Sequence, residues 1–134
     1  MQTNAHSAST ASCPRRGNRQ KPRDSLIWPK THACVLKIYR CTQNFPTEER
    51  FGLTSQLRRA ATTVFSNIAE GCGREGDRER ARFLSIAAGS ASEVEYQLLL
   101  THALGFLEDE PYGQLDSQVG EVKRMLNAFI RTLS

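Results

Sequence analysis

From Trp28 onward, hydrophobic positions recur with a helical period, and nowhere does the pattern alternate as a strand would. The spacing predicts four helices. The first runs from about Pro29 to Asn44 on a stripe of Trp28, His32, Val35, Tyr39 and Thr42, widened by Leu36 and Ile38. Pro29 suits its first turn, where a missing N–H costs nothing, and Phe45-Pro46 stops it. The second runs from about Leu53 to Glu70 on Leu53, Leu57, Ala60, Ala61, Val64 and Ile68, and Gly71 is its expected left-handed stop. The third runs from Asp77, a plausible N-cap, to Leu104, with Gly105 as the C-terminal stop. The fourth starts near Asp109 with Pro111 in its first turn. Its residues Leu115, Val119, Val122, Leu126, Phe129 and Leu133 make a heptad seam. Short connections make neighbours antiparallel, so the predicted fold is all-α, an up-down-up-down four-helix bundle.

The third helix carries more apolar surface than one seam requires. Phe83, Ile86, Ala87, Val94 and Leu98 form one stripe, and Leu84, Ala88, Ala91, Leu99 and Ala103 form a second, rotated from the first. A helix that is apolar on several sides is buried on several sides. The second stripe is therefore the candidate interface of a homo-oligomer.

At 134 residues the chain predicts one domain. No stretch reaches the roughly 18 apolar residues of a membrane span, and no secretory signal is evident, so a soluble, cytoplasmic protein is expected. Charge divides the chain more sharply than length does. The net charge is +4, and residues 1–25 supply all of it through Arg15, Arg16, Arg19, Lys21 and Arg23 against Asp24 alone. That polar segment buries too little to fold by itself and is expected to be a disordered basic leader, with residues 26–134 forming the bundle domain. A basic leader can bind nucleic acid by counterion release. Within the neutral remainder, residues 50–82 hold seven arginines against four acids, whereas residues 93–121 hold seven acids and no Lys or Arg. Pairing between such segments is expected.

Motifs for chemistry are sparse. Gly71-Cys72-Gly73-Arg74-Glu75-Gly76 spells G-x-G-x-x-G, but a dinucleotide site needs a strand before it, and here a helix precedes it. A milder reading places an anion at the start of the third helix beside Arg74 and Arg78, but Glu75, Asp77 and Glu79 oppose it and favour a solvated, partly self-paired loop. None of the four cysteines forms a C-x-x-C pair, and their thiols are expected to stay reduced. The histidines have no metal-ligand spacing, and no Ser/His/Asp arrangement appears. No enzyme activity, cofactor, metal or small-molecule substrate is expected. A polar cluster on the second helix, centred on Arg58, Arg59, Asn67 and Glu70, with Gln56 beside it, is expected to find partners in Glu93 and Gln97 as a buried network that fixes helix register.

Phe45-Pro46, the run from Glu49 through Arg50-Phe51-Gly52-Leu53 to Ala61, and Asn67-Ile68-Ala69-Glu70-Gly71 with Gly73-Arg74 together carry a family pattern. Trp28 with Lys30, Phe83-Leu84, Glu93 with Glu95, Gln97-Leu98 and Met125-Leu126-Asn127 agree with it. The pattern resembles the bacterial four-helix bundle family whose founding members are encoded in intervening sequences of the large ribosomal RNA gene. The resemblance covers residues 26–134. It implies a homopentamer, similar to the accessory protein of diversity-generating retroelements, which associates with reverse transcriptase and nucleic acid. It assigns no catalytic residue, and it gives Arg58, Arg59, Asn67, Glu70 and Glu93 a structural role. Phe65 stands where the family usually has proline, which implies a straighter second helix. The expected function is a non-catalytic oligomeric scaffold or accessory protein that meets RNA or a ribonucleoprotein through basic residues. The alternative is a protein–protein interaction module without a nucleic-acid role, docking a basic partner on the acidic segment.

Overall fold

The computed structural model describes residues 22–133, and their side chains from Leu26 onward. All regular structure among them is helical: α1 (Pro22–Thr42), a single 3-10 turn (Thr47–Glu49), α2 (Leu53–Gly73), α3 (Asp77–Ala103) and α4 (Asp109–Arg131). Each helix packs antiparallel against the next, and α1 also packs against α4, which closes a four-helix bundle.

The α4 seam is the one its heptad predicts, with Leu115, Val119, Val122, Leu126 and Phe129 buried. In α2 the residues Leu57, Ala60, Ala61, Val64 and Ile68 are buried, while Thr54 replaces Leu53 at the first core level. The helix runs unbroken through Phe65.

Three sequence expectations are corrected. First, α1 begins at Pro22, so residues 22–25 are helical and Pro29 lies inside the helix. Pro22 now holds the early position that suits proline, and at Pro29 the helix forgoes one backbone bond without ending. The α1 stripe also turns by one position: Ile27, Thr31, Cys34, Ile38 and Thr42 face inward, whereas His32 and Tyr39 are exposed. The bundle centre opposite α1 is lined by Ala61, Val64, Ala91, Val94, Val119 and Val122, and short side chains fit it. The Trp28 ring sits at the margin instead, edge-on to Phe65 at 4.9 Å.

Second, Gly71 does not stop α2. The helix continues to Gly73, and Gly71 is a buried contact with α3. A Cβ there would lie 3.2 Å from Leu84 and 3.3 Å from the Arg80 carbonyl oxygen. The left-handed glycine is Gly105, at φ 86°. Beyond it the Phe106 N–H donates to the Thr101 carbonyl at 3.0 Å, the long bond of a Schellman ending. Gly76, not Asp77, is the N-cap of α3, and Asp77 and Glu79 complement the helix dipole from the first turn.

Third, the thiols differ. Cys34 and Cys41 are free, whereas Cys72 is disulfide-bonded, against the expectation that all four stay reduced. Burial pushes the Cys34 thiol up to about 11, partly countered by Lys37, and raises Cys41 by the same cause.

Two measurements check this packing. Gly71→Val should cost about 2 kcal/mol or more in urea unfolding, because the added methyl groups overpack the α2–α3 contact. Gly113→Ala, with nothing within 4 Å of its Cβ, should instead gain about 0.5–1 kcal/mol. For Cys34 the folded state holds its proton more tightly than the unfolded chain, whose thiol ionises near the ordinary value of 9.0. The associated stability is complete below pH 9.0 and is lost as pH rises towards about 11. Thermal melts of wild type and Cys34→Ala across that range should converge.

Candidate functional site

The sequence candidates fall at different places on the bundle. Arg15, Arg16, Arg19 and Lys21 lie outside the described residues, and Arg23 lies in the first turn of α1, where the backbone alone is described. The first turn of α1 and the α2–α3 turn share one end of the bundle, as the antiparallel order requires.

At the α2–α3 turn the arginines are largely committed to the protein itself. Arg74 pairs with Glu70 at 2.9 Å, and its guanidinium lies 4.7 Å from the centroid of Phe83. Arg82 lies over the same ring at 4.6 Å and pairs with Glu79 at 3.4 Å. Arg80 is only 5% exposed. Its Nη2 donates to the Arg74 carbonyl at 2.9 Å, and Asp77 stands 4.0 Å from Nη1. Buried Nε has no hydrogen-bond partner among the described residues. This arginine closes the C-terminal end of α2, where orphan carbonyls favour a cation. The geometry thus ties the turn down, and Arg78 is the exposed arginine left at the start of α3. The six-residue glycine pattern spans the last turn of α2 and this turn, with no strand before it.

The polar signature does not form one buried network. It resolves into separate ties between helices. The Arg58 Nε donates to the Thr42 Oγ1 at 2.7 Å, and Nη2 donates to the Tyr39 carbonyl at 3.1 Å, joining α2 to α1. Gln97 Nε2 donates to Gln56 Oε1 at 3.1 Å, joining α3 to α2. Asn67 donates to the Thr63 carbonyl in its own helix at 2.9 Å. Arg59, Glu70 and Glu93 are exposed, because each lies on the side of its helix turned away from the seam. Only Gln97, of the two expected α3 partners, reaches the α2 cluster.

The interface stripe is also corrected. Leu84 (0% exposed) and Ala91 (1%) belong to the bundle's own core. Ala88 packs at its margin, and Leu99 and Ala103 are exposed. The inward face of α3 steps through Leu84, Ala87, Ala91, Val94 and Leu98, so it takes members from both predicted stripes. Two stripes separated by a fraction of a turn merge when the core sits between them. The large apolar groups left outside are Ile86, Tyr96, Leu99 and Leu104, with Tyr96 at 59% and Leu99 at 49% exposed.

The acidic segment pairs within the subunit at three places, but not with residues 50–82 as expected, because Arg74, Arg80 and Arg82 face acids of their own helices. Lys123 meets Glu95 at 2.9 Å, Lys30 meets Glu121 at 3.2 Å, and His102 meets Asp109 at 2.7 Å while stacking on Tyr112. Among the described residues no group of three or more His, Cys, Asp or Glu could hold a metal ion, and no helix is long and apolar enough to cross a membrane.

One surface feature escaped the sequence reading. Where α1 ends and α2 begins, Arg50 and Arg58 line a groove of about 350 Å³, with exposed aromatic rings close by. The available signal was Phe51, an aromatic residue between Arg50 and Gly52 in a connection with no apolar period.

The bundle and its inter-helix polar ties define the class: a small all-α protein whose distinguishing side chains join helices or lie on outward faces. The chain belongs to the 23S rRNA-intervening sequence protein family, whose model matches residues 23–128. Among solved structures it is similar to a protein of unknown function from the S23 ribosomal protein family of Bacteroides thetaiotaomicron. The TM-score is 0.76 at 23% identity, covering 81% of this chain and 98% of that one. That likeness shows the fold alone. No curated protein matches the chain.

The Arg58 tie is open to test. Thr42→Val, nearly isosteric, should destabilise the bundle by about 1–3 kcal/mol in chemical unfolding, since it removes the acceptor of a charged donor and the hydroxyl's bond to the Ile38 carbonyl.

Proposed function

We propose that this protein is a non-catalytic subunit of a homo-oligomer, a pentamer by the family resemblance, and a scaffold or accessory factor for RNA or a ribonucleoprotein. The observation that carries this reading is the outward face of α3. Tyr96, Leu99 and Ala103 project from the side opposite the core stripe, beside Ile86 and Leu104. A face of this composition in contact with water is unfavourable, and a neighbouring subunit relieves it. Contact with RNA phosphates is assigned to the basic N-terminal segment, whose five cations oppose one acid, with Arg78 at the end of the bundle where α1 begins. Each such contact is weak, and repetition around a ring supplies avidity.

A second reading has its own support. Glu93, Glu108, Glu110 and Asp116 are exposed carboxylates within a segment that has no cation, a surface suited to docking a basic protein.

Light-scattering mass coupled to size exclusion, read at 260 and 280 nm, separates these readings. The expected result is a multiple of the 15.0 kDa chain with excess absorbance at 260 nm. A multimer without that excess favours the protein-docking reading, and a monomer overturns the oligomer. The double variant Tyr96→Glu/Leu99→Glu should yield a monomer with unchanged helicity, since both residues are exposed within the subunit.

A further inference from the structure

We propose that the groove between the end of α1 and the start of α2 binds single-stranded nucleic acid. Arg50 and Arg58 take a backbone phosphate there, and Phe51 and Tyr39 supply rings on which bases stack. The proposal rests on the RNA reading above but places the contact in the folded bundle, at the end away from the first turn of α1.

Four observations carry it. The only charged side chains lining the groove are the two arginines, and its other polar lining is neutral, including Gln43, Thr47 and Thr54. Such a lining selects an anion. The Arg58 head is also fixed before any ligand arrives. Its Nε and Nη2 are spent on Thr42 and the Tyr39 carbonyl, and its guanidinium lies 4.6 Å from the centroid of the Tyr39 ring. Thr42 itself is anchored by donating to the Ile38 carbonyl at 2.8 Å. No bond engages Nη1 among the described residues, so it remains for a ligand. Fixing the donor in advance lowers the ordering cost of binding.

Phe51 is 89% exposed, the most exposed of the large apolar residues, and Arg50 lies 5.7 Å from its ring centroid. Tyr39 is exposed as well. Two solvent-facing rings, each with a guanidinium against it, beside a cationic groove are the elements of a sequence-tolerant single-strand site, in which bases stack on aromatics and arginines follow the backbone. Finally, no acid lines the groove. Residues 39–59 hold four arginines against Glu48 and Glu49. Neither glutamate lines the groove, and the Glu49 carboxylate lies against Gly52. A protein partner would favour a contiguous apolar patch, whereas Phe51 is flanked by Arg50 and Gly52.

The test is fluorescence anisotropy on the full chain with labelled oligouridylate and oligothymidylate of about ten nucleotides, titrated at several salt concentrations. Phe51→Ala should weaken binding about 5- to 100-fold with little change in salt dependence. Arg50→Gln should lower the log–log salt slope by about 0.7, the loss of one phosphate contact to a single strand. Both residues are exposed, so both variants keep the fold, which circular dichroism checks. Equal losses with the two oligonucleotides mark a site for single strands in general, and a loss confined to the uridylate marks RNA; either supports the groove. Unchanged binding in both variants overturns the proposal. If replacing Arg15, Arg16, Arg19, Lys21 and Arg23 together by glutamine then abolishes binding, the RNA reading survives without the groove. No binding by the wild-type chain overturns both. A Phe51→Ala variant that changes the oligomer mass rather than oligonucleotide affinity assigns the ring to a subunit contact and overturns the proposal.

Discussion

The close approach of α2 and α3 is the constraint on which the rest of the bundle depends. Theirs is the most extensive helix–helix contact, and small residues carry it: Ala60, Ala61 and Gly71 on one side, Ala87 and Ala91 on the other. Gly71 lets Leu84 and the α3 backbone approach so closely that a Cβ there would stand only 3.2–3.3 Å from them, a contact met only if they give way by a few tenths of an ångström. Because the two backbones run close there, the turn between them needs only residues 74–76. Arg80, one turn into α3, is drawn into the interior and closes the end of α2 with its guanidinium. A charge that deep normally destabilises, but here it meets a carbonyl that no helix bond satisfies. α1 and α4 then fill the remaining two sides through larger residues, Ile27 and Ile38 from one, Leu115, Leu126 and Phe129 from the other.

That geometry decides what α3 presents to solvent. A helix held against two neighbours spends rather less than half its circumference on the core, and Leu84, Ala87, Ala91, Val94 and Leu98 already occupy it. The apolar residues in excess of that stripe emerge on the far side, with Tyr96 and Leu99 near the C-terminal half. Leu26, Leu36, Tyr39 and Phe51 are exposed elsewhere, but the excess on α3 gathers on the side away from the core, unlike the scattered apolar exposure that every protein shows. It is an organised surface, and its position on the longest helix gives it the reach of a subunit contact.

Elements with a single strong seam were legible in the sequence, and those with competing seams were not. α4 has five apolar positions at heptad spacing and no rival face, so its core residues follow directly from spacing. In α1 the large rings pointed to one stripe and the smaller Ile27, Thr31 and Cys34 to its neighbour. Volume opposite the helix, a tertiary quantity, decided between them. Gly71 illustrates the same limit: a glycine near a helix end reads equally as a left-handed stop or as a contact, and only the partner helix separates the two. The Gln56–Gln97 tie was half legible, since both residues were singled out but not as a pair. The groove of Arg50 and Arg58 was not legible, because its lining, residues 42–58, is folded together by a connection without periodicity, whose path spacing does not give.

Arginine content therefore says less about anion binding than arginine bookkeeping does. Residues 50–82 hold seven arginines, and the fold uses them unequally. Arg74 and Arg82 are held by Phe83 and by carboxylates of their own helices, and Arg80 is buried against a backbone carbonyl. These three stabilise a turn, and recruiting them to a ligand would first require breaking contacts the fold already makes. Arg58 is different in kind. Its partners are an uncharged hydroxyl, a carbonyl and a ring, so its positive charge is oriented without being neutralised. Arg50 faces the same groove from an exposed connection, again with a ring rather than an acid as its neighbour. The groove is thus lined by cations and no carboxylate, although the same end also carries Glu48, Glu49 and, at the α3–α4 turn, Glu108 and Asp109, while at the α2–α3 turn Arg74, Arg80 and Arg82 are held by the fold. A chain whose folded part has no net charge can in this way keep one locally cationic groove.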